Sequence, residues 1–269
     1  MNKYFFRFSF SAIAAIFTIV FSGIEPGLRA EPPLDSLSQN AFCVGEKLVF
    51  DVGYGFITAG EATMSIPAID TFAGHSCYAV MFQVNSTPTF SWFYEVRDRY
   101  QTHLDVDSIY PWHFEQHIRE GHYRRDFTAD FDQINHIVVT SESKFPIPPR
   151  VHDIMSAFYY ARTLDFSHKK AGDRIHLHNF YKDSTYELDV EFRGRETIKV
   201  EAGTFKCLII EPLAKEGGLF KSEGKVLLWL SDDERKIPVK VSTKVLIGSI
   251  SAELREFSGI NGALKARIK

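Results

Sequence analysis

Cysteine is scarce, with only Cys43, Cys77 and Cys207 in 269 residues. No two of them are spaced C-x-x-C, which excludes a thioredoxin-like redox motif and a zinc knuckle. Phosphate-cradling loops, dinucleotide fingerprints, G-x-S-x-G elbows and H-E-x-x-H pairs are also missing. The pattern S-x-x-K occurs at Ser141–Lys144 and Ser167–Lys170, but neither opens a helical pattern. An excess of positive charge is lacking, since the formal net charge is −3. Neutralising a phosphate backbone needs a basic face, so nucleic acid is excluded as a partner. Beyond the first thirty residues no apolar run reaches the about 18 residues of a membrane-spanning helix.

The first thirty residues hold a run at the lower limit of that length. Lys3 and Arg7 precede an apolar stretch from Phe8 to Ile24, and small residues continue to Ala30. That is the layout of a secretory signal peptide, with cleavage expected after Ala30 and the remainder expected in the periplasm. An uncleaved anchoring helix is the alternative reading of the same stretch. No cysteine follows the apolar core to accept a lipid. Removing Lys3, Arg7, Arg29 and Glu25 with the segment leaves 28 basic and 33 acidic residues from 31 and 34. In an oxidising compartment two cysteines could pair, and Cys43 with Cys77 is the pair to test first, because both begin predicted strands.

Residues 31–41 are polar and proline-containing and read as a flexible leader. After them a period of two takes over. Leu48, Phe50, Val52, Tyr54 and Phe56 alternate with Lys47, Asp51, Gly53 and Gly55. Ala62, Met64 and Ile66 repeat the pattern, as do Tyr78, Val80, Phe82 and Val84. Further on, Tyr186, Leu188, Val190 and Phe192 alternate with Glu187, Asp189, Glu191 and Arg193, and Ile237, Val239, Val241, Thr243 and Val245 follow the same rule. Alternation of this kind makes half-buried strands with one core face and one wet face. Short turn signals separate the runs, for example at Arg119–His122 and Glu201–Thr204. They favour hairpins over parallel crossover units.

One segment has a different period. Ile154, Ala157, Phe158, Ala161 and Leu164 recur at helical spacing after Pro148-Pro149, which predicts an amphipathic helix over residues 152–164. The expected fold is all-β: a large antiparallel curved sheet or incomplete β-barrel, with this helix as lid or plug. A single β domain is expected over residues 42–259, with residues 260–269 as a tail.

Several segments carry a family resemblance. They are Gly45-Glu46-Lys47-Leu48, Ala59-Gly60-Glu61-Ala62, Asp153 to Arg162, Ala202-Gly203-Thr204-Phe205-Lys206-Cys207, and Leu228 to Asp233 followed by Ile237-Pro238-Val239-Lys240. Together they resemble the bacterial exported family known as domain of unknown function 3108, over about residues 42–258. The resemblance implies export and a β fold, and no reaction. The last of these segments is also similar to the closing strands of Lol-type periplasmic lipoprotein carriers.

Candidate chemistry is sparse. His113, Glu115 and His117 form H-x-E-x-H, which on a strand places three potential zinc ligands on one face, with His103 or His122 available as a further ligand. Phe114 and Ile118 occupy the opposite face, so the histidine face can equally be a wet strand surface. His176-x-His178 offers fewer ligands, and Asp126, Thr128, Asp130 and Asp132 read as the polar side of a strand. No cofactor is implied.

Aromatic residues are plentiful: 24 Phe, 11 Tyr and 3 Trp are enough to line an interior. Phe90, Trp92, Phe93, Tyr94, Phe158 and Trp229 are the candidates for lining an apolar cavity, or for filling a solid core instead. Three functional readings follow. The first is a non-catalytic periplasmic envelope protein that binds a lipid-like ligand or an envelope protein partner. The second is a metal-dependent enzyme using His113, Glu115 and His117. The third is an assembly factor that pairs through a sheet edge.

Overall fold

The computed structural model describes residues 37–268 apart from residues 56, 215–224 and 245–248. The expected export segment, most of the leader, Phe56 and Val245 therefore lie outside the described residues. The chain runs through β1 (Lys47–Tyr54), β2 (Ile57–Ser65), β3 (Ile69–Phe72), β4 (His75–Ser86) and the short helix α1 (Pro88–Ser91). It continues through β5 (Arg97–Asp105), β6 (Pro111–Glu120), β7 (Tyr123–Asp132), β8 (Ile137–Thr140), β9 (Lys144–Pro146), β10 (Val151–His152) and α2 (Ile154–Thr163). The remainder is β11 (Arg174–Tyr181), β12 (Ser184–Val200), β13 (Gly203–Ala214), β14 (Val226–Ser231), β15 (Pro238–Lys244), β16 (Ser249–Ser258) and β17 (Arg267–Ile268).

The strands form one curved sheet. Starting at one edge, the pairing runs β9, β8, β7, β6, β5, β4, β2, β1, β16, β15, β14, β13, β12, β11, β10. Strand β3 adds to the first half of β4, and β17 adds to the first half of β13. All of these pairs are antiparallel except β10 with β11. That exception has a cause: α2 crosses between those two strands, and a crossover of this length returns the chain parallel.

The two sheet edges, β9 and β10, are close in sequence but do not pair. Side chains join them instead. Phe145 of β9 and Phe131 of β7 pack on Phe180 of β11, with ring centroids 5.7 and 6.0 Å apart. Arg125 of β7 donates to the Tyr181 hydroxyl, and Gln133 Nε2 donates to the Val151 carbonyl at 2.8 Å. The result is an incomplete barrel.

The expected alternation is present. Leu48, Phe50 and Val52 are buried, as are Leu188, Val190 and Phe192. The wet face expected for β12 is drier than its sequence suggests, because Asp189 and Glu191 are also buried. Arg174 from β11 lies 2.9 Å from Glu191 and 3.6 Å from Asp189, and Arg193 covers Glu191 from the other side. Long arginine stems on neighbouring positions shield the carboxylates while their charge pairs them. The helix is shorter than the periodicity predicts: His152 belongs to β10, and Asp153 caps the first turn.

The barrel has two unlike ends. At one, the β3–β4, β5–β6, β7–β8, β12–β13 and β14–β15 turns gather with residues 37–46 and the last residues of the chain. At the other lie the β1–β2, β6–β7 and β11–β12 turns and the α1 connection between β4 and β5. The ends of β15 and of β1 reach the same rim.

Candidate functional site

The interior is packed as two hydrophobic clusters. The larger is built on the inner faces of β1, β2, β4 to β7 and β16, and the smaller on β12, β13 and β14 with the outer turns of α2. Between them an apolar cavity of about 130 Å³ remains. Phe50, Met64, Phe82 and Tyr100 line one side, Leu188, Val190, Ile210, Leu228 and Val241 the other, and Ala157, Phe158 and Ala161 of α2 line a third. The small side chains of Ala62, Ala157, Ala161 and Ala252 leave the space that larger residues would fill. Its volume is close to the about 150 Å³ that admits a benzene-sized group, and its walls are apolar.

The helix over this cavity is fixed at both ends. Asp153 Oδ1 accepts from the Met155 and Ser156 amides at 2.6 and 3.0 Å, while its Oδ2 accepts from Thr102 Oγ1 at 2.7 Å. Burial pushes the Asp153 carboxyl up, and these hydrogen bonds pull it back. At the other end Arg162 is fully buried and makes a two-pronged pair with Glu46, each arm 2.7 Å. Arg162 also donates to the Ala41 carbonyl at 2.9 Å and lies 5.1 Å from the Tyr159 ring. Burial alone lowers the guanidinium's affinity for its proton, but the Glu46 carboxylate outweighs it and the net shift is upward.

Polar groups frame the cavity without entering it. Asp98 of β5 and Glu120 of β6 are both buried on the inner face and interact directly. Burial, the Glu120 charge and their mutual hydrogen bond push Asp98 up to about 8, against the Arg119 amide that donates to it at 2.8 Å. Tyr100 and Gln116 lie buried beside them. Near the seam His152 stacks on Tyr110 at 4.6 Å, and among the described residues neither ring nitrogen has a hydrogen-bond partner. Burial, with a smaller push from His178, lowers it to about 3, so it is neutral.

The residues singled out in the sequence are scattered. His113, Glu115 and His117 share one face of β6, and it is the outer one. His113 Nδ1 bonds Asp130 at 2.6 Å, His117 Nδ1 bonds Asp126 at 2.7 Å, and Arg99 holds Glu115 at 2.8 Å. Cross-strand carboxylates from β7 hold the two Nδ1 atoms and an arginine from β5 holds Glu115, and among the described residues no group of three or more His, Cys, Asp or Glu side chains that could hold a metal ion is found. Of the six aromatic candidates, Phe158 lies on the cavity wall. Phe90 and Tyr94 pack against the core beneath α1, while Trp92 and Phe93 are exposed. Trp229 faces outward, donates to Glu196 and carries Lys240 over its ring at 5.8 Å.

The cysteines are free rather than paired. Cys43 Sγ turns to the Gly259 carbonyl at 3.3 Å and Cys77 Sγ to the His75 carbonyl at 3.5 Å, in different surroundings. Burial raises the Cys77 and Cys207 thiols to about 12. Sequence reasoning missed the Arg162–Glu46 and Asp98–Glu120 pairs. The available signal was charge on an apolar stripe: Arg162 lies four residues after Phe158, and Asp98 shares a strand face with Tyr100.

No helix among the described residues is long and apolar enough to cross a membrane. No curated protein matches the chain. Among solved structures, a β-barrel-like protein of domain of unknown function DUF1849 from Brucella abortus is similar in fold. It has a TM-score of 0.52 and 9% identity, covering 82% of this chain and 98% of that one. A protein of Bacteroides fragilis described as exported, with a YmcC-like fold, matches at a TM-score of 0.34 and 10% identity, over 83% and 99% of the two chains. The sequence of residues 49–255 matches the model of one family, and with most of its β sheet inside that span the chain belongs to the family described as protein of unknown function DUF3108.

Proposed function

We propose that this is a non-catalytic protein of the periplasm, exported by its first thirty residues, that holds a lipid-like ligand inside one β domain over residues 42–259. The observation that carries the reading is the cavity. Its wall is almost wholly apolar, and it lies between two hydrophobic clusters. Interiors are normally filled to crystal density, so space of this size costs stability unless something uses it. An acyl chain or a small ring fits such a space, with any polar head left toward the rim.

The test is extraction of the purified protein with organic solvent, followed by mass spectrometry and by uptake of a fluorescent fatty acid. A defined lipid in the extract, and uptake that falls at least about tenfold in Ala157→Leu, support the reading. An empty extract together with no uptake by the unaltered protein overturns it.

A further inference from the structure

A polar corner adjoins the apolar cavity on the side of the α1 rim. Tyr100 is part of the cavity wall, and Asp98 stands on the same inner face of β5, about 7 Å nearer the rim. Gln116 pairs with Tyr100 across the β5–β6 ladder, and Glu120 lies on the same face of β6. None of the four is more than 2% exposed.

Acceptors are left over in this corner. The Arg119 amide donates to Asp98 Oδ1 at 2.8 Å. Beyond the proton that Asp98 shares with Glu120, Asp98 Oδ2 has no hydrogen-bond partner among the described residues, and neither do Gln116 Oε1 and the Tyr100 hydroxyl. The three groups meet at one place: burial pushes the Tyr100 hydroxyl up most strongly, the charge of Asp98 adds to it, and Gln116 pulls it back. Buried polar atoms are normally bonded, so orphaned acceptors beside an apolar cavity call for a donor on whatever fills it.

The charge of that donor follows from the groups that face Asp98. Glu120 and Arg119 of β6 are the charged residues that act on it. The Arg119 guanidinium itself turns to the outer face, where the two carboxylate oxygens of Asp126 accept from it at 2.6 and 3.0 Å. Val84, which pairs with Asp98 from β4, is apolar. Across the interior, Tyr181 of β11 acts on Tyr100, and its hydroxyl accepts from Arg125 of β7. No cationic side chain among the described residues bonds the Asp98 carboxyl, which holds a proton instead. An ammonium offers three N–H donors and one positive charge, so it matches the three acceptors and can take the place of that proton. A hydroxyl head offers a single donor, and a carboxylate head offers none.

We infer that the guest of the cavity is an amphiphile with a primary ammonium head, its chain among the cavity residues and its nitrogen bonded to Asp98 Oδ2, Gln116 Oε1 and the Tyr100 hydroxyl. The assignment rests on the cavity reading and adds the head group to it. Binding exchanges one positive charge for another: the ammonium enters and the Asp98 proton leaves to solvent. Asp98 keeps its proton up to about 8, so binding of an amine tightens as pH rises toward that value. The amine stays cationic throughout, since it ionises like lysine at about 10.4.

The experiment is calorimetric titration of the purified protein with octylamine, octanol and octanoate at pH 6.5 and pH 8.5. At the higher pH octylamine should bind at least about tenfold more tightly than octanol, with octanoate weakest. Between the two pH values octylamine binding should tighten about tenfold or more, while octanol binding stays level. Asp98→Asn should remove both the preference and the pH dependence and keep octanol binding, which shows the fold and the cavity intact. The pH profile of the unaltered protein tests the inference without any variant. Octylamine no tighter than octanol, a level pH profile, or a preference unchanged in Asp98→Asn would overturn the head-group assignment while octanol binding leaves the cavity reading standing. Failure of all three compounds to bind would remove both.

Discussion

The two ends of the barrel are built on opposite principles. At the sealed end, residues 37–46 cross the opening, and Phe42 packs edge-on against Tyr78 and Tyr159 at 5.5 and 4.9 Å. Gly259 comes so close to Gly45 that a Cβ on it would lie 1.8 Å from the Gly45 carbonyl oxygen, and its φ of +66° favours glycine. The buried Arg162–Glu46 pair lies behind them. At the rim, by contrast, large apolar side chains such as Trp92 and Phe93 face water. Close packing and buried charge pairing are concentrated at the end that the chain crosses, while the other end carries exposed apolar surface.

The comparison is broken most severely at the sealed end. Arg162→Met strands the Glu46 carboxylate in the core and should cost about 3–5 kcal/mol in denaturant unfolding. A loss below about 1 kcal/mol would mean that the pair does not fasten the helix. Filling the cavity acts in the other direction: Ala157→Leu should raise stability by about 0.5–2 kcal/mol, read from the same transition. A loss of stability would show that the space is too narrow for the added carbons.

Near the rim, Asp98 makes stability depend on pH. Its folded value of about 8 lies above the usual carboxylate range, so the folded state holds the extra proton. This stabilisation is complete below about pH 4 and is lost as pH rises through about 8, with Glu120 and Arg119 as the charged neighbours. Melting temperatures at pH 5 and pH 8 should therefore differ less in Asp98→Asn than in the parent. Smaller still, Trp92→Ser should leave stability within about 0.5 kcal/mol, because the ring buries almost nothing. The least effect is expected from His113→Ala with His117→Ala: both side chains pair on the outer face, and uptake of a fluorescent fatty acid should not move.

Much of the fold was legible in the sequence because strand alternation is a local property. Leu48, Phe50 and Val52 declare a buried face without reference to any other segment, and so do Leu188, Val190 and Phe192. The helix announced itself through Ala157, Phe158 and Ala161. Burial of Asp189 and Glu191 was not legible, since it depends on arginines that only the β11–β12 register brings overhead. Arg162 finds its partner 116 residues away, a distance over which no periodicity speaks. The aromatic run at residues 90–94 was visible, but its division into inward Phe90 and Tyr94 and outward Trp92 and Phe93 depends on the turn of α1. The cavity itself was beyond reach, because an empty volume is set by what several strands fail to fill.

The join between the sheet's two edges has a further consequence for capacity. A continuous ladder of backbone bonds would fix the circumference, and any guest larger than the existing space would have to break strands apart. Here the closing contacts are rings of Phe131, Phe145 and Phe180, the arm of Arg125 on Tyr181 and the Gln133 side chain on the Val151 carbonyl. Side-chain contacts, unlike a backbone ladder, can rearrange one at a time, so on the ligand-binding proposal it is this joint, more than the resting volume, that would set the largest guest.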